Sequence, residues 1–256
     1  MTYTLITGAS SGIGRELAYV FAKNSNNLII TARNEKELNS LKLELEKEYG
    51  IQVIIIVADL SRPDACGNLY EKTQQEGYII DNLINNAGFG DCSEFVECDS
   101  EKYKNLIQVN IASLCELTRL YGKEMKQQER GRILNIASIA AFCPGPYMAC
   151  YYASKSFVLS FSQAVYEELK PYGVSVTALC LGPTSTHFEQ TANLEKANMF
   201  KFFKPKSPKD VALYAYKCMI KGKCTAYFSL QAKALNIISR LMPNFIARKF
   251  SKMINT

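Results

Sequence analysis

Apolar residues along the chain follow two alternating patterns, which are short continuous runs and longer stretches with helical spacing. Runs rich in β-branched residues predict strands at residues 3–7, 28–31, 53–58, 82–85, 131–138, 174–180 and 225–228. Between them, apolar positions that recur every three or four residues predict helices at residues 14–23, 35–49, 64–75, 100–127, 151–170 and 208–221. This alternation predicts an α/β fold, with parallel strands, right-handed crossovers and helices on both faces.

The same pattern argues for one domain over residues 1–256. The alternation is not interrupted by any Pro/Gly/Ser-rich linker, and the chain is long enough to bury a substantial core. Residues 183–206 lack a strong period and contain Met199, Phe200, Phe202 and Phe203, so this segment is interpreted as a lid over a substrate. A surface loop that simply packs on the fold is the alternative.

The C-terminal extension, residues 229–256, alternates apolar and basic residues at helical spacing and is broken by Pro243. It could close a substrate pocket, pack in an oligomer or lie on an anionic membrane surface, and the first two are favoured. Charge is uneven, because residues 201–256 carry 12 basic and one acidic side chain within a net charge of +6. A solvated face is the simplest explanation. Nucleic acid is not predicted, because no recognition motif accompanies the charge.

Cysteine and histidine usage bears on compartment and metals. Nine cysteines without a CxxC spacing predict reduced thiols, and with His187 as the single histidine no metal site is expected. Cys143, Cys150 and Cys180 fall near the candidate site, where small buried apolar residues are favoured over reactive thiols. The first residues enter a strand at once, and the apolar runs are too short to span a bilayer. A cytoplasmic protein is therefore expected.

A glycine-rich string, TGASSGIG at residues 7–14, lies between the first predicted strand and the first helix. Backbone without side chains can approach a pyrophosphate, and a helix N-terminus adds N–H donors and a favourable dipole. The string therefore predicts a dinucleotide site. After the second strand, Ala32 stands where an acid would grip the 2′-hydroxyl of NAD, and Arg33 follows it. Arg33 and Arg15 together would clamp a 2′-phosphate, so NADP(H) is favoured over NAD(H), unless both are solvated surface residues.

Two further turns belong to this predicted site. Asp59, after the third strand, could accept from the adenine amino group or cap the following helix. The Asn85-Asn86-Ala87-Gly88 segment after the fourth strand supplies small residues near the nicotinamide half, although composition alone indicates only a turn.

Tyr151 and Lys155 lie one helical turn apart, downstream of Ser138 at a predicted strand end. Positions i and i+4 share a helix face, so the hydroxyl and the ammonium can meet one ligand. A neighbouring cation is expected to lower the pKa of the phenol, which lets it exchange a proton with an alcohol or ketone. Ser138 is the candidate residue to hold the carbonyl oxygen.

In order and spacing, TGASSGIG, NNAG, NIAS, NIASIA, YYASK and LGPTST make the chain resemble the short-chain dehydrogenase/reductase family, and most closely its bacterial, NADP-preferring members. The resemblance implies a single doubly wound Rossmann-type domain with a seven-stranded parallel sheet, and a tetrad of Asn110, Ser138, Tyr151 and Lys155. In that tetrad Tyr151 donates the proton, Lys155 binds the nicotinamide ribose, and Asn110 holds a water that links Lys155 to solvent. The residues expected to contact the cofactor are Thr7, Gly8, Ser10, Ser11, Gly12, Ile13, Gly14, Arg15, Arg33, Asp59, Leu60, Asn86, Ala87, Gly88, Tyr151, Lys155, Gly182, Thr184 and Thr186.

The substrate side of the site is predicted less sharply. The family usually has Pro-Gly after the sixth strand, whereas this chain has Leu181-Gly182-Pro183, which leaves Thr186 as the carried-over contact. Phe89, Ala140, Tyr147 and Ser138 are the expected substrate contacts. The first three lie in mainly apolar surroundings, which favour an apolar ketone, aldehyde or 3-oxoacyl group.

The resemblance implies a homodimer or homotetramer built on the helices at residues 100–127 and 151–170. An NADP(H)-binding redox-sensing regulator without turnover is the alternative function.

Overall fold

A computed structural model describes residues 1–186, 188, 192–194, 198 and 203–256. Seven parallel strands form one sheet in the order β3-β2-β1-β4-β5-β6-β7. The strands are β1 Thr2–Thr7, β2 Asn27–Thr31, β3 Val53–Ile55, β4 Ile79–Asn85, β5 Gly131–Ile136, β6 Val174–Cys180 and β7 Thr225–Tyr227. The direction of winding reverses between β1 and β4, and a crevice at the carboxyl ends of strands forms at such a point.

The described helices cover both faces of the sheet. They are α1 Gly12–Lys23, α2 Glu35–Tyr49, α3 Ala65–Gln75, α4 Ser100–Ile107, α5 Leu114–Gln127, α6 Ala149–Leu169, α7 Pro208–Ile220, α8 Leu230–Leu241 and α9 Asn244–Asn255. Consecutive residues of a strand point to opposite faces, so Ile30 packs in a core with Phe21 of α1, whereas Ile29 packs in a core with Tyr121 of α5. The predicted doubly wound fold is confirmed.

Three predicted strands are shorter in the structure: β7 by one residue, and β3 and β5 by more than one. β3 ends at Ile55 instead of residue 58, although the Ile56 and Ala58 amides still donate to carbonyls of Ile30 and Ala32 at 3.2 Å. β5 ends at Ile136, because the chain turns into a short 3₁₀ segment, Ile139–Phe142, directly after Ser138. Both of the larger differences lie at the carboxyl edge, where the chain leaves the ladder to build the crevice.

The helix predicted at residues 100–127 is interrupted. A six-residue π-helical segment, Gln108–Ser113, separates α4 from α5. A π turn contains an extra residue per hydrogen-bonded loop, and such turns concentrate at functional sites. This one carries Asn110.

The C-terminal extension forms α8 and α9, and Pro243 separates them as predicted. The Ser229 hydroxyl accepts from the Ala232 amide at 3.0 Å and so caps α8. Among the described helices, none combines the length and the apolar character needed to cross a bilayer.

Candidate active site

The loop after β1 is shaped by its glycines and by Thr7. Gly8 and Gly12 have φ of +65° and +55°, a conformation that side chains rarely adopt. A Cβ on Gly14 would lie 2.2 Å from the Gly8 carbonyl oxygen, so α1 can start this close to β1 only without a side chain there. The Thr7 hydroxyl accepts from the amides of Asn86 and Ala87, each at 3.0 Å. Thr7 and Gly14 therefore support the loop from behind.

The front of this loop borders a cavity of about 720 Å³. Among the described residues, no hydrogen bond from the Ser11 side chain caps α1, so the first-turn amides stay available to a ligand. Amides at a helix N-terminus bind phosphate. The cavity continues past Asp59, Asn86 and Gly88. This row of small residues and amides fits a dinucleotide, and the predicted cofactor contacts that line the cavity are Gly8, Ser10, Ser11, Gly12, Ile13, Arg33, Asp59, Leu60, Asn86, Ala87, Gly88, Tyr151, Lys155, Gly182, Thr184 and Thr186.

The two arginines predicted to clamp a phosphate have different positions. Arg33 lines the cavity. Arg15 does not, because Nη2 donates to both carboxylate oxygens of Glu44 at 2.8 and 3.0 Å, and Nη1 lies 3.6 Å from Glu37. The prediction that Arg15 joins Arg33 at a cofactor phosphate is corrected accordingly: the Arg15 guanidinium is paired with carboxylates of α2. The acidic partners come from α2 and could not be inferred from the position of Arg15 in the loop.

Asp59 lies in the wall and also holds its own turn. Its Oδ1 accepts from the Ser61 amide at 3.1 Å and from the Ser61 hydroxyl at 2.8 Å. Burial alone would raise the pKa of Asp59, but these two hydrogen bonds, with nearby Arg33, bring the pKa below its ordinary value. Asp59 is therefore an ionised acceptor in the cavity. It does not cap α3, whose N-cap is Asp64.

Ser138, Tyr151 and Lys155 all line the cavity. Ser138 has extended backbone after β5, and its hydroxyl accepts from the Ala140 amide at 3.1 Å, so it caps the 3₁₀ segment as well. α6 carries the other two residues on one face. The Lys155 ammonium lies 5.7 Å from the centre of the Tyr151 ring. A proton donor, a second hydroxyl and a cation are thus brought together.

The pKa of Tyr151 does not follow the sequence-based expectation. Burial raises it to about 12, and only a contact with the Ser138 hydroxyl acts in the opposite direction. The Lys155 ammonium is directed to the Ile136 carbonyl, to which it donates at 2.8 Å. Tyr151 is therefore a protonated phenol, suited to donate a proton.

Burial has the opposite effect on the pKa of Lys155. Its side chain is buried, and removal of the cation from water lowers its pKa to about 8. The hydrogen bond to Ile136 fixes the ammonium near the turn after β4, since a Cβ on Gly88 would lie 3.6 Å from Nζ. Lys155 remains mostly charged at neutral pH.

Asn110 ties the π-helical segment to that turn. Its Nδ2 donates to the Phe89 carbonyl at 3.0 Å and to the Ser154 hydroxyl at 3.1 Å, and its Oδ1 accepts from the Phe89 amide at 3.1 Å. The side chain is buried and positions Phe89, which lines the cavity. The water-holding role of Asn110 stays a prediction.

The far end of the cavity is lined by the C-terminal helices, which the site prediction did not include. Of the predicted substrate contacts, Ser138, Phe89 and Ala140 line the cavity. Tyr147 does not, because its carbonyl accepts from the Ser93 amide at 2.8 Å and Lys252 stacks on its ring. The lining from α8, α9 and their junction is Leu235, Ile238, Ser239, Met242, Ala247, Phe250, Ser251 and Ile254.

α9 is fastened to this end by polar contacts. Asn255 Nδ2 donates to the Pro146 carbonyl at 2.8 Å, and its Oδ1 accepts from the Tyr152 hydroxyl at 3.1 Å. The Ser251 hydroxyl lies 3.1 Å from the Cys143 sulfur. Pocket closure, one of the three roles considered for the extension, is therefore observed. A spacing of Leu235, Ile238 and Met242 on one helix face was the signal in the sequence.

The three cysteines near the site are poor candidates for thiolates. Burial raises the pKa of Cys143, which lines the cavity, and of Cys150. It raises the pKa of Cys180 to about 12. All three are therefore protonated near neutral pH, and Cys143 contributes a small wall residue. His187 and three of the four residues behind the lid prediction, Met199, Phe200 and Phe202, lie outside the described residues. Phe203 lines the cavity.

Comparisons with known proteins agree with this geometry. Residues 2–197 match the family model described as short chain dehydrogenase. Mouse 17-beta-hydroxysteroid dehydrogenase type 3 is 32% identical over 251 residues, 97% of this chain and 80% of that protein. A very-long-chain 3-oxoacyl-CoA reductase from Pyrenophora tritici-repentis is 34% identical over 180 residues, 68% of this chain. The chain spans only 52% of that reductase and 62% of the human 17-beta-hydroxysteroid dehydrogenase type 3.

A solved structure gives the same answer for the fold. A short-chain dehydrogenase from Sphingobium yanoikuyae in complex with NADPH superimposes with a TM-score of 0.85 at 30% identity, covering 94% of each chain. The chain therefore belongs to the short-chain dehydrogenase/reductase family, whose members are oxidoreductases acting on CH–OH and C=O groups.

Proposed function

We propose that this protein reduces the carbonyl group of an apolar ketone, aldehyde or 3-oxoacyl compound with NADPH, and oxidises the corresponding alcohol in reverse. The observation that carries the proposal is one continuous cavity, with Tyr151, Ser138 and Lys155 between the glycine loop and an apolar wall. NADPH, when bound, supplies the hydride for the carbonyl carbon. The glycine loop, Asp59 and Gly88 would hold the nucleotide along the row described above.

The residues of the chain supply the proton and the orientation. The Tyr151 hydroxyl gives its proton to the carbonyl oxygen, which requires the protonated phenol that burial maintains. Ser138 donates a second hydrogen bond to the same oxygen and so fixes its position. The Lys155 ammonium stabilises the phenolate that remains, and Asn110 keeps Phe89 against the substrate.

NADP(H) is proposed over NAD(H) because of the end of β2. Arg33 lines the cavity there, and Ala32 occupies the position of the acid that would repel a 2′-phosphate. The similar Sphingobium enzyme is described with NADPH. An apolar substrate is proposed because the far wall consists mainly of aliphatic and aromatic side chains from α8 and α9. Similar proteins named for steroid and long-chain acyl substrates support the same class.

The proposal is tested by the rate of NADPH oxidation in the presence of a panel of aliphatic, aromatic, acyl and steroid ketones and aldehydes. Tyr151→Phe should lower turnover by about a thousandfold, because it removes the proton donor, and should leave NADPH binding within a few-fold of wild type. Tyr152→Phe is the matched control, since the Tyr152 hydroxyl bonds to Asn255 and is not aimed at Ser138. Tyr151→Phe with wild-type turnover would contradict the assignment.

A redox-sensing regulator without turnover remains the alternative. The assembled trio of Ser138, Tyr151 and Lys155 disfavours it, because a binding module has no need of a proton donor. Tight NADPH binding by the wild type, with no oxidation by any compound of the panel, would favour the regulator.

A further inference from the structure

α8 presents an uncovered apolar face to solvent. Leu230, Ile237 and Leu241 follow the spacing i, i+7 and i+11, and their exposed fractions are 87%, 52% and 83%. These positions share one side of a helix. A soluble surface rarely exposes a continuous apolar strip of this kind without a partner.

α9, which lines the same cavity as α8, also exposes apolar side chains. Ile246 and Met253 are one i, i+7 pair on its exposed side, next to the buried side formed by Ala247 and Ser251. The apolar arc of α9 is therefore wider than the part that packs on the fold. We call Leu230, Ile237, Leu241, Ile246 and Met253 the outer C-terminal face.

Part of the cavity wall adjoins this face. Ile238, next to Ile237 on α8, lines the cavity and is 47% exposed, and Phe250, one turn from Ile246 on α9, lines it as well. A compound that entered the cavity here would therefore pass along apolar side chains.

The two helices that carry this face are positively charged. Residues 229–256 contain no acidic side chain and five basic ones, all exposed: Lys233, Arg240, Arg248, Lys249 and Lys252. Within the described part of the chain none of the five is ion-paired. Apolar residues flanked by basic residues on an in-plane helix are the composition that binds anionic lipid surfaces.

We propose that the outer C-terminal face docks the protein on the surface of an anionic lipid bilayer, with α8 and α9 lying in the interface. The apolar residues enter the boundary between headgroups and acyl chains, and the five cations attract the anionic headgroups. A second copy of the chain is a poorer occupant, because a two-fold contact through this face would oppose basic residues to basic residues.

Flotation of the 256-residue protein with vesicles tests the docking. We expect binding to vesicles of phosphatidylcholine with phosphatidylglycerol, weaker binding to phosphatidylcholine alone, and loss of binding as salt rises. The double variant Leu230→Gln/Leu241→Gln should bind the anionic vesicles roughly a hundredfold more weakly, because two apolar anchors are lost without a change in charge. Lys233→Ala/Arg240→Ala should reduce the salt dependence.

Leu43→Gln is the matched control, because Leu43 is 69% exposed on α2 and lies outside this face. It should bind as the wild type does. The docking is overturned if the wild type stays unbound to anionic vesicles, or if the double variant floats with them equally well. It is also overturned if sedimentation shows that the wild type is an oligomer and the double variant is a monomer. That result would assign the face to a second copy.

The membrane would also deliver an apolar substrate to the cavity, an extension that rests on the proposed function. Oxidation of NADPH by a short, water-soluble aldehyde and by a long-chain aldehyde dissolved in anionic vesicles separates the two ideas. We expect the double variant to lose rate only with the vesicle substrate. If the wild type oxidises NADPH with neither aldehyde but still floats, the proposed function fails and the docking stands.

Discussion

Burial sets the proton affinities of the two central residues of the site in opposite directions. It raises the pKa of Tyr151, which keeps its proton, and it lowers the pKa of Lys155, which holds its proton less tightly. The pKa values of a phenol and an ammonium four residues apart therefore depend on their burial and on the groups around them, and not on their spacing alone. In this protein the Lys155 ammonium donates to the Ile136 carbonyl, and burial raises the pKa of Tyr151, whereas the sequence predicted a lowered pKa.

The buried cation predicts a pH-dependent stability. The pKa of Lys155 falls from 10.5 to about 8 on folding, so between these values the unfolded chain binds more protons and the free energy of unfolding rises with pH. Below this window the buried charge costs the folded state on the order of 3 kcal/mol. The stability advantage of Lys155→Met over wild type should therefore shrink as the pH rises from 8 towards 10.5.

Urea denaturation at a series of pH values, followed by circular dichroism, measures this difference. Lys123→Met is the control, because Lys123 is exposed on α5 and its replacement should give a difference that is flat with pH. If the difference in unfolding free energy between Lys155→Met and wild type is also constant with pH, burial does not lower the pKa of Lys155.

The two arginines predict a contrast in cofactor preference. Arg33→Ala should raise the KM for NADPH about tenfold and leave the KM for NADH nearly unchanged, because a charged contact to the phosphate is lost. Arg15→Ala should leave the ratio of the two KM values unchanged, since Arg15 is engaged by Glu44. Steady-state kinetics with both cofactors measures the ratio. A larger effect from Arg15→Ala would mean that the Arg15–Glu44 pair opens when the cofactor binds.

At the scale of elements, the site depends on how closely β1 and α1 approach each other. Gly14 is the first-turn residue of α1 that meets the loop after β1, and there is no room for a methyl group between them. By contrast, a Cβ on Gly67, in the first turn of α3, would meet nothing within 4 Å. The two glycines are both helical and differ only in their surroundings.

Alanine substitutions should separate them. Gly14→Ala should lower the free energy of unfolding by about 2 kcal/mol or more, because the backbone must shift, and should weaken NADPH binding with it. Gly67→Ala should raise the free energy of unfolding by about 0.5–1 kcal/mol, because alanine favours the helix. Chemical denaturation measures both values. If the two variants have the same stability, the close approach of β1 and α1 is not the reason for glycine at position 14.

At the scale of the whole molecule, the cavity joins the amino-terminal and carboxyl-terminal ends of the chain. The loops after β1 and β4 supply the nucleotide end, and α8 and α9 close the other. A ligand that binds only the folded state stabilises it by mass action.

NADPH should therefore raise the melting temperature of the protein. At a concentration a hundred times its Kd the free energy gained is about 2.7 kcal/mol, and for a chain of this size that corresponds to roughly 5–10 °C. NADH at the same concentration should give a smaller shift, and differential scanning fluorimetry measures both. Equal shifts would remove the proposed preference, and no shift with either cofactor would count against the nucleotide site.

Local signals in the sequence were enough to predict the α/β alternation, the glycine loop and the Tyr151–Lys155 pair. These signals are an apolar period, a strand-turn-helix motif, and two residues four apart on one helix. The sequence also placed the break at Pro243, since proline cannot continue a helix. Each of these signals lies within a few residues of the feature it predicts.

Which of these residues face the cavity, and which of them are protonated, depends on contacts that form in the folded protein. The pairing of Arg15 with α2, the hydrogen bond from Lys155 to β5 and the closure by α9 join segments distant in the sequence. The π-helical segment at Asn110 likewise carries a side chain that bonds to Phe89, 21 residues away in the sequence. Burial and long-range contacts have no local period, so they cannot be derived from spacing along the chain.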